Sequence, residues 1–317
     1  MTEQLEYFFW GLYNKYLIRT NTIEKRALNK KHFGGKKFLS EQAGNDYITY
    51  LINSNAPAMI ARYGANELAI MRQIEEKRLG IRKEVSDILI QQFCNGAGFF
   101  PADIIEVERF SHLMLEAGKN VDLLGVWMKP VNPMENYFVK KYDQDVITTP
   151  LRALEPWYHN HPWSAALKGK NVLVIHPFAD TIQKQFTNRE RIYPNGLLPD
   201  FNLYTIKAVQ TIAGRKDERF SSWFDALDYM YEASLNINFD IAIIGCGAYG
   251  FPLAAKLKQN GKKAIHLGGP TQLLFGIKGK RWDTRPEITC FYNEYWTRPS
   301  EKETIKNNNT VENGCYW

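Results

Sequence analysis

The run Phe239-Asp240-Ile241-Ala242-Ile243-Ile244 breaks at Gly245-Cys246-Gly247-Ala248-Tyr249-Gly250. It continues as FPLAAKLKQN, stops at Gly261 and resumes as Lys263-Ala264-Ile265-His266-Leu267. Apolar strand, glycine turn, helix and second strand within about thirty residues make a βαβ unit, and nothing else in the chain restricts the fold as much. Other segments fit the same alternation. Strands are expected at 58–63, 121–126, 171–176 and 203–207, and helices at 3–18, 41–54, from 65, at 84–95, 103–118, after Pro177 to about 186, and 223–235 with Ser221-Ser222 at its start. Asn132-Pro133 before MENYFVKKY reads as a helix start with proline in its first position. Strands alternating with helices imply an α/β, Rossmann-like fold with a mostly parallel sheet flanked by helices and an N-terminal helical extension. Three regions are expected: residues 1–39, a helix followed by the basic connector KRALNKKHFGGKK as an exposed loop; residues 40–298, the α/β domain; and residues 299–317, a mobile polar tail. No internal repeat is visible.

Gly245, Gly247 and Gly250 match G-x-G-x-x-G in the context where that pattern has a physical meaning, after a strand and at a helix start. Glycines let the backbone turn tightly and approach an anion, and the free amides of the helix start point at it. The alternative is that they only let helix and sheet pack closely. A dinucleotide site would place a carboxylate at the end of the second strand; here that strand runs into His266-Leu267-Gly268-Gly269, so a mononucleotide or nucleotide-sugar fits better than NAD. Tyr249 belongs to the same turn, and Thr271 and Gln272 follow the second strand as hydrogen-bond donors. Lys278, Lys280 and Arg281 could neutralise a diphosphate and Trp282 could stack on a base or sugar; a solvated basic turn with a core tryptophan is the plainer reading.

In the N-terminal half, Arg62-Tyr63-Gly64-Ala65-Asn66-Glu67 ends an apolar strand and opens a helix. Charges beside so apolar a segment are costly unless paired or used. Glu67 is a candidate general base or metal ligand and Arg62 a candidate phosphate holder, the alternative being a structural Arg62–Glu67 pair. His176 ends another strand as a candidate acid or base, with Asp180 to orient it or bind a cation. His159 and His161 flank Asn160, but no third metal ligand is evident. No G-x-S-x-G, H-E-x-x-H or G-x-x-x-x-G-K-[ST] occurs, which speaks against a serine hydrolase, a zincin or a P-loop enzyme.

Ala61-Arg62-Tyr63-Gly64-Ala65-Asn66-Glu67-Leu68 resembles the RFGDGE segment of glycosyltransferases of the GT-D fold. The stretch from Asp240 to Trp282 is similar to the C-terminal part of GT-D-like domains from bacterial surface-polysaccharide loci. The resemblance spans about residues 40 to 290. It implies one Rossmann-like domain using a nucleotide-sugar donor such as a UDP-sugar, a glycan acceptor, and a divalent cation (Mn or Mg) held by an Asp-x-Glu motif. Glu67 falls on the Glu of that motif and Ala65 on its Asp, and alanine cannot ligate a metal. The resemblance therefore leaves three readings: transfer with Glu67 and no cation, a substitute carboxylate such as Asp180, or a non-catalytic nucleotide- or sugar-binding module. An NAD-linked oxidoreductase is the more remote alternative.

A net charge of +6 over 317 residues suits an anionic ligand or an acidic membrane surface but not a nucleic-acid binder. Four cysteines without CxxC pairing suggest a reducing compartment. With no signal peptide apparent in MTEQLEYFFWGLYNKYLIRT, a cytoplasmic enzyme is expected. The aromatic residues of that segment, followed by Lys and Arg, could rest on a membrane surface; packing against the body is the alternative.

Overall fold

The computed structural model describes residues 2–20, 22–127, 134–143 and 145–317. An N-terminal arm comes first: α1 (Glu3–Thr20), α2 (Ile23–Lys30) and a hairpin of β1 (His32–Phe33) and β2 (Lys36–Lys37). The first half of the body holds α3 (Glu41–Asn53), β3 (Ala58–Ala61), α4 (Ala65–Arg78), α5 (Asp87–Ala97), α6 (Ile104–Gly118), β4 (Leu123–Val126), α7 (Glu135–Lys141) and β5 (Ile147–Pro150). The second half holds β6 (Asn171–His176), α8 (Ala179–Phe186), α9 (Arg189–Ile192), β7 (Asn202–Lys207), α10 (Trp223–Leu235), β8 (Ile241–Ile244), α11 (Gly250–Gln259), β9 (Lys263–His266), α12 (Thr271–Leu274) and α13 (Pro286–Thr289).

Seven strands form one sheet in the order β5-β4-β3-β9-β8-β6-β7, with every pair parallel. Side chains alternate between its faces, as strand geometry requires. Met59, Ala61, Leu124, Leu173, Ile175, Ala242, Ile244 and Ala264 join the core under α4, α5, α6, α10 and α11. Ile60, Leu123, Val172, Val174, Ile241, Ile243 and Ile265 join the core on the other face, with α3, α8 and the segments after β5 and β9. Register lines Leu123, Ile60, Ile265, Ile243 and Val174 up in one row across that face. Both faces being covered explains why the interior positions of the central strands are apolar, with Asn171, His176, Lys263 and His266 confined to strand ends. The α/β sheet flanked by helices, with a helical N-terminal extension, is therefore as the sequence implies.

Two connections fix where a ligand can enter. From β6 the chain runs outward through α8 to β7; from β8 it runs inward through α11 to β9. Neighbouring strands whose connections leave in opposite directions open a crevice beyond their carboxyl ends, here between His176 and Gly245.

Three local features differ from the sequence expectation. The basic connector is α2 and a hairpin rather than a loop. Ala27, Phe33 and Phe38 are buried and anchor it, and Gly34 and Gly35 turn it at φ values of +55° and +74°. Phe38 then bridges to Thr148 of β5, an edge strand ending in Pro150 that sequence pattern did not show. The strand expected over 58–63 ends at Ala61, leaving Arg62 to Gly64 as a loop. The expected helix start at Asn132-Pro133 lies outside the described residues, although α7 follows it. Among the described residues no helix is long and apolar enough to cross a membrane.

The segment 299–317, expected as a mobile polar tail, lies against the body. Glu303 is its anchor. The buried carboxylate accepts from the amides of Asp180 (3.0 Å) and Thr181 (3.2 Å), from the Thr181 hydroxyl and from Ser300 Oγ (2.7 Å), and so caps the N-terminus of α8. Gln272 Nε2 donates to the carbonyl of Tyr316 (3.1 Å), and the Trp317 indole donates to that of Glu303 (3.2 Å). Glu303→Ala is expected to cost roughly 1–3 kcal/mol, since it strands buried amides that a charged acceptor now satisfies. Thermal denaturation and limited proteolysis will read this as a lower Tm and earlier cleavage within 299–317; a variant unchanged in both contradicts the anchoring role.

Candidate functional site

The carboxyl ends of the central strands frame a cleft of about 380 Å³, large enough for a nucleotide-sized ligand. Its wall comes from the loops after β3 (Arg62, Gly64), β4 (Trp127), β6 (His176 to Phe178), β7 (Val209 to Ile212), β8 (Gly245 to Tyr249) and β9 (Gly268, Gly269), closed by Arg281, Arg285, Glu312 and Tyr316.

The three glycines of the turn do different work. A Cβ on Gly245 would lie 2.6 Å from both the His176 ring and Thr271 Oγ1, so this glycine lets three loop ends meet. Gly247 has φ +61°, the left-handed conformation glycine adopts without cost, and a Cβ there would lie 3.7 Å from the Ala97 carbonyl oxygen. A Cβ on Gly250 would overlap the buried His266 ring, so this position serves helix–sheet packing. Close packing thus accounts for Gly245 and Gly250, and the tight turn for Gly247. Tyr249 packs most of its ring into the core, stacking on Trp223 at 4.7 Å and sharing a hydrogen bond with Thr211 (3.1 Å).

Arg62 sets the electrostatics. Its side chain is partly buried, its guanidinium lies 4.7 Å over the Trp127 ring, and its shielded Nε has no hydrogen-bond partner. Burial works against its charge, and Glu67, Tyr316, Glu135 and Glu155 offset that only through space. The paired arrangement considered for Arg62 and Glu67 is therefore loose. Glu67 folds back against Gly64 at the third position of α4 and accepts from its own amide. Burial raises the Glu67 carboxyl above its ordinary value, while that amide and the Arg62 charge pull it down. Burial pushes His176 down to about 3. The Phe178 amide donates to His176 Nδ1 (3.0 Å), so the neutral ring carries its proton on Nε2. Burial and the Arg62 charge likewise push His266 down to about 3, and its Nδ1 has no partner. His176 is therefore a neutral hydrogen-bond donor at the cleft near neutral pH rather than a base.

Among the sequence candidates, Arg62, Glu67, His176, Gly245, Gly247, Tyr249 and Gln272 line the cleft together. Thr271 adjoins Gly245, and its buried Oγ1 is unpartnered. Gln272 spends its amide on the carbonyls of Ile277, Lys278 and Tyr316, which holds the closing segment rather than a ligand. Four positions fall elsewhere. Asp180 points outward to Lys207 Nζ (2.9 Å). Lys278 Nζ rests 5.1 Å over the Tyr292 ring. Trp282 is buried in the core beneath the sheet. His159 bonds the Arg152 carbonyl (3.1 Å) away from the cleft. Sequence reasoning missed Trp127, Glu135, His266, Arg285, Glu312 and Tyr316. Only the aromatic residues closing the chain, Tyr316-Trp317, carried a signal, since such residues seldom stay in solvent.

The donor set does not fit a divalent cation. Such an ion needs several oxygen ligands. Among the described residues Glu67 and Glu312 are the carboxylates lining the cleft, Glu312 is paired with Arg281, and Ala65 offers nothing. Among the described residues no group of three His, Cys, Asp or Glu is disposed to hold a metal.

No protein-family model and no curated protein matches the chain. Among solved structures it is similar to two of the domain of unknown function 1792, one selenomethionine-substituted and one described as having a distinct glycosyltransferase fold. The similarity covers 85% of this chain and 93% of each of those, at 12% identity and TM-scores of 0.42 and 0.41. A likeness at this level assigns no activity and no residue role.

Two carboxyls behind the cleft yield a pH prediction. Burial raises Glu135 to about 8, against the Trp127 amide that donates to it and the Arg62 charge. Burial raises Asp143 to about 7, against its hydrogen bond from the Tyr63 hydroxyl. Both folded values exceed the unfolded ones, about 4. Their stabilising contribution is therefore complete below that unfolded value and is lost as pH rises through about 7 to 8. Melting temperature is expected to fall as pH rises from about 5 to about 8, and Glu135→Gln to flatten that fall; a profile rising with pH, or one the variant leaves unchanged, contradicts this assignment.

Proposed function

We propose that the cleft binds a nucleoside-diphosphate sugar, with a UDP-sugar as the first candidate. The sugar would pass to a hydroxyl of a glycan acceptor in cell-surface polysaccharide assembly, with arginines and backbone amides acting where a divalent cation otherwise would. One observation carries the reading. The partly buried Arg62 guanidinium, its Nε unpartnered, lines the same cleft as Gly245 to Tyr249. A cation drawn partly out of water is costly until an anion completes it. Arg281 and Arg285 at the same cleft and the resemblance of residues 61–68 and 240–282 support it further.

In this reading the acceptor oxygen forms a bond to the anomeric carbon as the bond from that carbon to the phosphate oxygen breaks. The electron pair leaves with the nucleoside diphosphate, and the acceptor proton passes to Glu67. Arg62, the His176 Nε2–H and the amides of the turn stabilise the departing charge. Such preorganised donors act most strongly in a site that excludes water. Glu67 must be ionised to act as a base, and burial raises its pKa, so the rate should climb with pH above the ordinary carboxylate range. Ala65 favours one competing reading, a binding module of the same fold without turnover. An NAD-linked reaction is opposed by the end of β9, where His266 and Gly268-Gly269 leave no carboxylate for a ribose.

Calorimetry with UDP-glucose, with manganese and with EDTA, tests the binding; affinity equal within about twofold in the two buffers is expected. Glu67→Gln should leave that affinity in place while lowering donor hydrolysis or transfer by roughly 10²- to 10⁴-fold. Affinity that appears only with manganese, or undiminished turnover in Glu67→Gln, overturns the mechanism. Binding without turnover in the unaltered chain over varied acceptors selects the module.

A further inference from the structure

We infer that the outer face of α1 docks the protein on an anionic lipid surface. The helix is apolar on two sides. Tyr7, Asn14 and Leu17 are buried against the body, where the Tyr7 hydroxyl donates to Glu76 (2.9 Å) and Asn14 accepts from Asn136. The opposite side carries Leu5, Phe8, Phe9, Leu12, Tyr13 and Tyr16, all exposed, with Phe8 at 58% and Phe9 at 55%. At 100° per residue these six lie within one stripe on the side away from the buried residues. Side chains of this size, about half exposed, leave open on the order of 500 Å² of apolar surface, at the upper end of what a monomer shows.

Charge decides the occupant. Residues 1–39 hold eight of the 40 Lys and Arg but three of the 34 Asp and Glu, so a surplus of five of the chain's net +6 charges sits on this arm. Two of those acids are paired with cations of the body: Glu3 with Arg78 (2.8 Å) and Lys141 (3.2 Å), and Glu6 with Lys140 (2.9 Å). Lys15, Arg19, Lys25, Lys30 and Lys31 stay exposed, which leaves the outer face flanked by cations. Arg26 lies 5.0 Å over the Tyr16 ring. Beside it, α1, α2 and the hairpin enclose a groove of about 150 Å³ lined by Trp10, Tyr13, Arg26, Lys30 and His32, a seat for a phosphate headgroup. Apolar rings between basic side chains on a helix too polar to span a bilayer are the chemistry of an interfacial anchor. A second copy of the chain would bring like charges together at the same face.

The surface stands apart from the cleft, and its test is independent of what the cleft binds. The full chain is floated with vesicles of phosphatidylglycerol and phosphatidylcholine, or of phosphatidylcholine alone, at low salt and at about 0.5 M salt, where charge attraction is screened within a few ångströms. Recovery with the anionic vesicles at low salt, lost at high salt and on neutral vesicles, is expected. Phe8→Ser with Phe9→Ser, and separately Lys15→Glu with Arg19→Glu, should each lower recovery roughly tenfold or more while leaving the melting temperature unchanged, because these side chains do not support the body. Equal recovery on neutral vesicles overturns the inference. So does absence of binding, whether or not light scattering shows a dimer that Phe8→Ser dissolves.

Discussion

Both faces of the parallel sheet are covered, and the rest of the molecule depends on that. Ile60, Val174, Ile243 and Ile265 fill one core while Met59, Leu173, Ala242 and Ala264 fill the other. A strand buried on two sides has no place along its length for a charge or an unpaired polar group. Polar chemistry is therefore displaced to the strand ends. The opposite connections from β6 and β8 hold those ends apart, so displaced groups surround a cleft instead of meeting solvent separately.

The same burial sets the protonation states. It lowers His176 and His266 and raises Glu67, Glu135 and Asp143, so near neutral pH the histidines are neutral and the carboxyls resist ionisation. Arg62 cannot respond by giving up its proton at any ordinary pH. A site whose other inner groups are driven toward neutrality keeps the Arg62 charge, supported by the Trp127 ring, with Arg281 and Arg285 adding to it at the closing side. The closing segment adds a counterweight. Glu312 holds Arg281 at the rim, and Glu303 secures the segment to the start of α8, which places Tyr316 over Gly269.

Local periodicity exposed most of the framework. β6, β8, β9 and the helices α3, α6, α10 and α11 were legible because each carries its own pattern of apolar spacing, cap or terminating glycine. The edge strand β5 was not, since Thr148, Thr149 and Pro150 have no apolar alternation and acquire their role by lying beside β4. The connector hid α2 and the hairpin because its lysines outnumber the buried residues, Ala27 and Phe33, that fasten it. The tail was misleading for a related reason. Its asparagines suggest solvent, but one buried carboxylate and a terminal aromatic pair outweigh them.

Sequence alone determined the βαβ unit, the placement of a glycine turn at a strand end, the apolar character of the core strands and the concentration of positive charge in the first 39 residues. These are properties of neighbouring residues, and neighbours share a segment whatever the rest of the chain does. Only tertiary structure decided that Arg62, Trp127, His176, Gly245, Arg281 and Tyr316 face one cavity, and that Asp180 and Lys278 do not. Those positions come from six different loops. Their proximity depends on strand order, and their ionisation on how much water packing removes, neither of which is written in the spacing of any one segment.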